Sequence, residues 1–391
     1  MADNKSRIEY RISLIVMMGI VMAGCAAIQG ITPTPTASPS PQPGMTLIPY
    51  RSPIPPSPEP TLLPEFQALK DTASGWEVDT IEPDGTGLRR ISPPGVAARY
   101  PKFSPDGRWI AFARVDASPA LMLYDRRSGE TQVVRLPANF DSAPVWSSDS
   151  SRLLLTPGAD FVVYDLKTGK LSAPIRWDDI QAVDSASLSP NGKQIAFTGS
   201  TTPRSTNSWG TWEIYTVQTN GAGRHQLTHS GGQVFIGAWS PVSDMLAYVE
   251  AKDIKVIWPD TPSRPAKVLG RADIGADHIM WSRNGQFIAV SDFLKTQIFN
   301  IKTGAIHKAF VLTMGTEVAT SWSPDLSKML FEIACCTAHA IVYTDLASVG
   351  ADHRIIDYHI LGDHPFYEGD PDWAPDADLI AFTGNWNPPG P

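Results

Sequence analysis

The sequence predicts an all-β fold, a seven-bladed β-propeller of four-stranded antiparallel blades, and three observations predict it. First, the string Ser-Pro-Asp-Gly recurs seven times with small changes. Second, the large residue that leads into each copy recurs every 41 to 51 residues, a period typical of propeller blades. Third, a hydrophobic triplet begins seven residues after each lead residue. The lead residues are Phe103, Trp146, Leu188, Trp239, Trp281, Trp322 and Trp373.

Each copy of the string predicts a tight hairpin between two strands. Proline fixes φ at the first central position, Asp caps the turn with its side chain, and Gly accepts a positive φ. Some copies depart from this pattern, since Ser148 and Arg283 replace the proline and Leu326 and Ala377 replace the glycine. The offset of the triplet is kept in all seven copies, so we interpret the hairpin as structural.

Alanine occupies the middle of five triplets, as in Ile110-Ala111-Phe112. An inner strand of a blade is covered on both faces by neighbouring blades. We therefore expect the bulky residues to face one neighbour, while the alanine lets the other neighbour pack close.

Second hairpins with Gly-containing turns lie between the copies, which gives four strands per repeat. The first of them, 76–91, has no inner hairpin before it, and the last inner hairpin, around Trp373, has no outer hairpin after it. We expect the N-terminal outer strands to pair with the C-terminal inner hairpin. This pairing would complete the seventh blade and close the ring, which removes exposed strand edges.

The N-terminal residues 1–25 have the pattern of a signal peptide. Lys5, Arg7 and Arg11 precede an uncharged run, and small residues stand directly before Cys25. The segment resembles a bacterial lipoprotein signal, which makes Cys25 the predicted lipid-attachment residue. The alternative is an uncleaved anchor helix that continues to Ile28. Both interpretations place the remaining chain outside the cytoplasm on a bacterial membrane, in the periplasm or at the cell surface.

Residues 26–65 are rich in Pro, Thr and Ser and carry almost no charge. Such a segment buries too little apolar surface to fold, so we expect a disordered, polyproline-like tether. At about 3.1 Å per residue its reach is on the order of 100 Å. The predicted propeller domain then occupies residues 66–391.

The composition excludes some classes of protein. With 32 basic and 40 acidic residues, the formal net charge of -8 argues against a nucleic-acid partner, which requires a basic face. Three cysteines are too few for a disulfide scaffold. The adjacent pair Cys335 and Cys336 leaves three alternatives open: a vicinal disulfide, a soft-metal site with His339, or a buried inert pair.

The repeat resembles the WD-like repeats of TolB-type β-propellers. The resemblance rests on Ser-Pro-Asp-Gly followed by Ile-Ala-Phe, on outer strands ending in Tyr-Asp, and on Thr-Gly turns. It covers about residues 73–386, and its specificity comes from seven copies in register. Proteins of the TolB type carry an α/β domain before the propeller, where this chain has the predicted anchor and tether.

Charged residues gather three to five positions before six of the seven lead residues, where the innermost strand begins at one mouth of the central channel, and five of these blades supply carboxylates. A ring of carboxylates there could hold a divalent cation or a basic peptide. The alternative is a solvated polar rim. The residues are Asp141, Asp184, Asp277 with His278, Glu317, Glu368 and Asp370, with Arg99 as the basic exception.

Two longer connections, 199–211 and 351–369, interrupt the period and offer Trp209 and Phe366 as contact residues. The alternative is that these side chains cover the rim. His225 and His229 have the spacing of a helical zinc motif, but they fall on an outer strand and its turn, so we do not expect a metal there.

The sequence favours a monomeric, non-enzymatic scaffold that binds a protein, a peptide or a cell-envelope polymer. Neither a Gly-x-Ser-x-Gly elbow nor a His-Glu-x-x-His motif is present. The alternative is a metal-assisted enzyme of the lyase or lactonase type at the channel mouth. Its first candidate residues would be Asp277, His278, Glu317 and Asp370.

Overall fold

The computed structural model describes thirteen parts of the chain, which all fall within the compact unit 63–391. They are 75–136, 140, 142–157, 160–202, 211–232, 234–261, 263–272, 278–292, 295–310, 316–335, 338–348, 359–361 and 367–385. Across these residues, 28 β-strands form seven four-stranded antiparallel sheets. None of the helices within these ranges is long and apolar enough to cross a bilayer.

Blades 1 to 3 are each continuous in sequence. Blade 1 contains β3 (Ala98–Phe103), β4 (Trp109–Arg114), β5 (Ala120–Asp125) and β6 (Glu130–Arg135). Blade 2 contains β7 (Val145–Trp146), β8 (Arg152–Leu155), β9 (Val162–Asp165) and β10 (Lys170–Leu171). Blade 3 contains β11 (Ala182–Leu188), β12 (Gln194–Ser200), β13 (Glu213–Gln218) and β14 (His225–Gln226).

Blades 4 to 6 repeat this order. Blade 4 contains β15 (Val234–Trp239), β16 (Leu246–Glu250), β17 (Asp253–Ile257) and β18 (Lys267–Arg271). Blade 5 contains β19 (His278–Trp281), β20 (Phe287–Ser291), β21 (Thr296–Asn300) and β22 (Ile306–Phe310). Blade 6 contains β23 (Thr316–Trp322), β24 (Lys328–Cys335), β25 (Ala338–Asp345) and β26 (His359–Leu361), with a 3-10 helix at Leu346–Ser348.

Blade 7 is assembled from both ends of the chain, as predicted. It contains β1 (Trp76–Ile81), β2 (Arg89–Arg90), β27 (Tyr367–Trp373) and β28 (Ile380–Asn385), in the order β2-β1-β28-β27. The β1–β28 ladder runs over six residue pairs, from Trp76 opposite Asn385 to Ile81 opposite Ile380. The predicted seven-bladed β-propeller and its ring closure are therefore confirmed.

The inner hairpin turns of blades 1, 2, 3, 5 and 6 have the predicted capping by an Asp or Asn side chain. In blade 1 the Ser104 hydroxyl donates to Asp106 Oδ1 at 2.5 Å and accepts from the Trp109 amide at 2.9 Å. Gly107 has a φ of +72°. Ser150 and Leu326 adopt the same conformation at this position, at +60° and +61°, although side chains disfavour it. The turn of blade 4 departs most, because Val242 and Ser243 replace both Asp and Gly.

The core lies in layers between neighbouring blades. Ile110 and Phe112 pack in the layer shared with blade 7, whereas Ala111 belongs to the layer shared with blade 2. In blade 3, Ala196 likewise faces blade 4. The alanine of the triplet thus faces the next blade along the chain, which confirms the expectation that it permits close packing.

Candidate functional site

The innermost strands begin around one end of the channel, here called the strand-start mouth and defined by Arg99, His278 and Asp370. Arg99 lies in β3, His278 opens β19, and Asp370 lies in β27. The backbones of Asp184, Glu317 and Glu368 also lie in the innermost strands, but their side chains are outside the described part of the structure.

Several predicted residues lie outside the described residues altogether. They are Cys25, Asp141, Trp209, Asp277, Cys336 and Phe366. Cys335 ends strand β24, and its side chain is not described either. The carboxylate ring, the lipid attachment, the loop contacts and the state of the cysteine pair therefore stay predictions.

β-Bulges interrupt the innermost strands close to this mouth. The register shifts between Arg99 and Lys102 in β3, and between Gly369 and Asp372 in β27. Comparable shifts occur in β11, β15 and β23. A bulge turns side chains out of the regular alternation of a strand, and bulges are common next to functional sites. In β3 and β27 these shifts place the bulged residues beside the channel.

Arg99 and Asp370 form an ion pair between blades 1 and 7, although they are 271 residues apart in sequence. The Arg99 Nη2 donates to Asp370 Oδ2 at 3.5 Å. The guanidinium also lies over two aromatic rings, with Cζ 4.5 Å from the ring centre of Trp76 and 4.7 Å from that of Tyr100. Cation–π contacts of this kind hold a guanidinium in place. The buried Nε of Arg99 has no acceptor among the described residues.

Asp370 occupies an unfavourable position for a carboxylate. Its φ is +54°, which is uncommon for a residue with a side chain. Burial raises the pKa of Asp370, Glu332 raises this pKa further, and Arg99 opposes both. Thr383 Oγ1 donates to Asp370 Oδ2 at 3.2 Å, and the Asp370 amide donates to Glu332 Oε2 at 3.1 Å. Strain and a raised pKa are more common at functional sites than elsewhere.

Three residues of this mouth were not predicted from the sequence: Trp76, Tyr100 and Glu332. One signal was available for the bulges. Pro101 follows Tyr100 and Pro371 follows Asp370, and proline within a strand marks a bulge or an edge. Glu332 carried no such signal, because it lies on the second strand of blade 6 and meets Asp370 only through the packing of adjacent blades.

His278 is exposed at this mouth. Among the residues that the structure describes, no three or more His, Cys, Asp or Glu side chains are grouped so as to hold a metal ion. A divalent cation at the mouth therefore stays a prediction. In the described part of the mouth, the Arg99 guanidinium lies over the Trp76 and Tyr100 rings and pairs with the Asp370 carboxylate.

We expect the Asp370→Asn variant to be at least as stable as the wild type at neutral pH. The neutral amide avoids the cost of burying charge, and Asn tolerates a positive φ. Because the folded-state pKa of Asp370 is raised, ionisation penalises the folded protein above that pKa, and the penalty disappears below the unfolded value of about 3.9. Urea unfolding between pH 3 and 8 would show that the difference in unfolding free energy between the variant and the wild type shrinks as the pH falls.

Asp325→Asn is the matched control, and we expect it to lower the stability at neutral pH. A hydrogen bond from the Ser323 hydroxyl, with others from Ser327, lowers the pKa of Asp325 to about 2. Its ionised form therefore stabilises the folded state above the unfolded pKa, and this is lost as the pH falls through about 2. A clear loss of stability in Asp370→Asn at neutral pH would contradict the interpretation of Asp370.

The opposite end of the channel, here called the turn face, is defined by the inner hairpin turns and is crossed by Arg283. Its Nη1 donates to the Ala374 carbonyl at 2.9 Å, and its Nη2 donates to the Trp373 carbonyl. This contact joins blade 5 to blade 7 past blade 6. Burial lowers the pKa of Arg283, and Asp372 and Asp376 counteract that effect. Arg283 thus replaces the turn proline with a link across the ring.

Comparison with known proteins relates the sequence to one curated relative. The Tol-Pal system protein TolB of Nitratidesulfovibrio vulgaris (Hildenborough) is 31% identical over 130 residues. Over these residues the propeller is similar to TolB. The match covers 32% of this chain and 28% of that relative, so the chain spans little more than a quarter of the relative's length. No family model matches the chain.

Solved structures share the architecture of this propeller. An oligogalacturonate lyase from Vibrio parahaemolyticus aligns with a TM-score of 0.59 at 12% identity, over 80% of this chain and 98% of that chain. An oligogalacturonate lyase in complex with manganese aligns with a TM-score of 0.57, also at 12% identity and with the same coverage of both chains. At this level of identity the likeness shows the fold alone.

Proposed function

We propose that this protein is a lipid-anchored, extracytoplasmic β-propeller that binds a protein or peptide, or a cell-envelope polymer, at the strand-start mouth without catalysis. The observation that carries this proposal is the position of Arg99, which lies over the rings of Trp76 and Tyr100 and is paired with Asp370. A side chain fixed in this way loses little conformational entropy when a ligand binds. Arginine with aromatic neighbours is also the composition of binding hot spots.

The chemistry of the mouth supports a peptide with basic side chains as the partner. The Arg99 side chain is 13% exposed, and its guanidinium can donate to a carbonyl or carboxylate oxygen of a ligand. The predicted carboxylates around it, Asp141, Asp184, Asp277, Glu317 and Glu368, favour basic groups beside that oxygen. A peptide that carries basic side chains meets both requirements. The relative named as a Tol-Pal system protein supports a protein partner in the cell envelope.

The N-terminal pattern supports the proposed location. Cys25 would carry the lipid, and residues 26–65 would hold a monomeric propeller away from the membrane, in the periplasm or at the cell surface. A single tethered chain samples a large volume around its anchor, which favours capture of a partner in another layer of the envelope.

A metal-assisted enzyme of the lyase or lactonase type is the second candidate. The raised pKa of Asp370 favours it, because a carboxyl titrating nearer neutrality is suited to proton transfer. The lyase that shares this fold is in complex with manganese. In this chain Asp277, His278, Glu317 and Asp370 would be the residues to hold a divalent cation.

The proposed function is tested by capture and affinity measurement. The chain from residue 66 onwards is immobilised, envelope proteins and polymers are captured, and the affinity of each captured partner is measured for wild type and Arg99→Met. We expect Arg99→Met to weaken binding by tenfold or more, because hot-spot arginines contribute about 2 kcal/mol or more. Oligogalacturonate with manganese is assayed in parallel for an unsaturated product.

Arg224→Met is the matched control. Arg224 also pairs with a carboxylate, donating to both oxygens of Asp179 at 2.7 and 2.6 Å, and it also lies over two rings, Trp177 and Tyr215. It is, however, in the outer part of blade 3. Equal affinities of the Arg99→Met protein and the wild type would refute the mouth as the binding site. Manganese-dependent turnover would replace the binding proposal with the enzymatic one.

A further inference from the structure

Tyr100 and Asp370 occupy equivalent positions in neighbouring blades, each three residues before a lead residue. Both have a positive φ, +62° and +54°, and both lie at a β-bulge and precede a proline. A positive φ is disfavoured for residues with a side chain, and a residue before proline prefers extended backbone. The surrounding structure must therefore hold both residues in place.

Each of these two backbone amides donates to a side chain of the preceding blade. The Tyr100 amide of blade 1 donates to Thr383 Oγ1 of blade 7 at 3.2 Å. The Asp370 amide of blade 7 donates to Glu332 Oε2 of blade 6 at 3.1 Å. Gly369 leaves room for the Glu332 carboxylate, since a Cβ at this glycine would lie 3.2 Å from Glu332 Oε1. A bulge leaves its extra residue unpaired in the ladder, and here side chains supply the missing acceptors.

Thr383 joins these contacts to the ion pair of Arg99. Its hydroxyl accepts from the Tyr100 amide and donates its proton to Asp370 Oδ2 at 3.2 Å. The same Oδ2 atom pairs with Arg99 Nη2 at 3.5 Å. Thr383 is fully buried in β28, between β27 and β1. One buried hydroxyl thus connects the carboxylate that pairs with Arg99 to the backbone of the residue whose ring Arg99 covers.

We propose that Thr383 and Glu332 are positioning residues of the strand-start mouth, which hold Asp370 and Tyr100 where they order the Arg99 guanidinium for a ligand oxygen. This inference rests on the proposed function, in which Arg99 contacts the ligand. Thr383 is buried and acts only through its two partners. A guanidinium that is ordered before binding loses less conformational entropy when the ligand binds. The groups that order it therefore contribute to affinity without touching the ligand.

Nuclear magnetic resonance of the full chain labelled with 15N-arginine measures the order of the Arg99 side chain directly. Arg99→Met identifies the Arg99 Nε–H signal by its absence. We expect Thr383→Val, which removes the hydroxyl and nearly keeps the shape, to lower the order parameter of this bond towards about 0.6, the range of flexible groups. Glu332→Met should lower it as well, because it removes the acceptor of the Asp370 amide. Thr383→Ser and Glu332→Gln keep an oxygen at each position and should retain the wild-type value.

Thr228→Val is the matched control, because Thr228 makes the same two bonds in blade 3. Its hydroxyl accepts from the Ile214 amide at 2.8 Å and donates to Glu213 Oε2 at 2.5 Å, and the residue is also buried. We expect it to lower the urea unfolding midpoint about as much as Thr383→Val and to leave the Arg99 signal unchanged. An unchanged Arg99 signal in Thr383→Val or in Glu332→Met would overturn the role of that residue. An equal loss of order in Thr228→Val would overturn both roles.

Calorimetry with trilysine tests the ligand class separately. We expect the wild type to bind it saturably, and Thr383→Val to bind it roughly two- to tenfold more weakly, because one more side chain is then ordered on binding. Thr383→Ser should bind as the wild type does. If trilysine does not bind to the wild type, the ligand class of the proposed function is wrong, whereas the Arg99 signal still decides the positioning roles. Equal affinities of the wild type and a Thr383→Val protein with a disordered Arg99 would refute the contribution of this order to affinity.

Discussion

A chain that begins at residue 95, and so lacks β1 and β2, is expected to lose cooperative folding. The deletion removes buried Val78 and Ile81 and leaves β28, with Ile380 and Phe382, as an unpaired edge. Each such side chain contributes about 1.5–3 kcal/mol by burial, so the combined loss approaches a total stability of about 5–15 kcal/mol. Urea unfolding would show the loss of the cooperative transition. The soluble yield should also fall, because an exposed apolar edge promotes aggregation.

A circular permutant is the control for this deletion. Trp76 stands opposite Asn385 in the ladder, so a short Gly/Ser linker from residue 385 to residue 75 forms a hairpin. New termini between residues 92 and 95 then keep all 28 described strands. The permutant should unfold near the midpoint of the parent chain from residue 66. Equal stability of the deleted chain and the parent would show that the ring does not depend on this closure.

Replacing Arg283 by methionine is expected to lower the free energy of unfolding by about 2–4 kcal/mol. The change leaves the Trp373 and Ala374 carbonyls without their donor and removes the positive charge near Asp372 and Asp376. Arg283→Pro, which restores the repeat residue, should also destabilise the protein, because the contact across the ring is lost. Urea unfolding at neutral pH measures both variants.

Arg271→Met provides the comparison for Arg283. Arg271 pairs with Asp253 at 3.0 Å, but its side chain is 67% exposed, and exposed pairs contribute about 0–1 kcal/mol. If Arg283→Met lowers the free energy of unfolding no more than Arg271→Met does, the contact between blades 5 and 7 does not stabilise the protein. If Arg283→Pro is more stable than the wild type, the repeat consensus governs this position.

The strand-start mouth was only partly predictable. The sequence singled out Arg99 and Asp370 because both lie just before a lead residue. Their pairing was not predictable, because they meet only when the ring closes and blade 7 comes to lie beside blade 1. Trp76 reaches Arg99 by the same closure, and the bulges then decide which way Tyr100 and Asp370 are directed.

The residues that depart from the repeat were also only partly predictable. Arg283 and Val242 are visible in the sequence as residues that break Ser-Pro-Asp-Gly, but the pattern carries no information on what they contact. In the structure Arg283 reaches a blade two positions away, and Val242 borders a cleft between blades 3 and 4. Each outcome depends on how neighbouring turns pack.

The number of blades, the inner hairpins, the alanine packing and the closure of the ring were all predictable from the sequence. These follow from local turn chemistry and from strand periodicity, which repeat along the chain and can be compared copy by copy. Only the tertiary structure decided which unrepeated side chains meet at the two ends of the channel. Those contacts join residues that are distant in sequence, and their geometry is set by blade packing and bulges rather than by any local pattern.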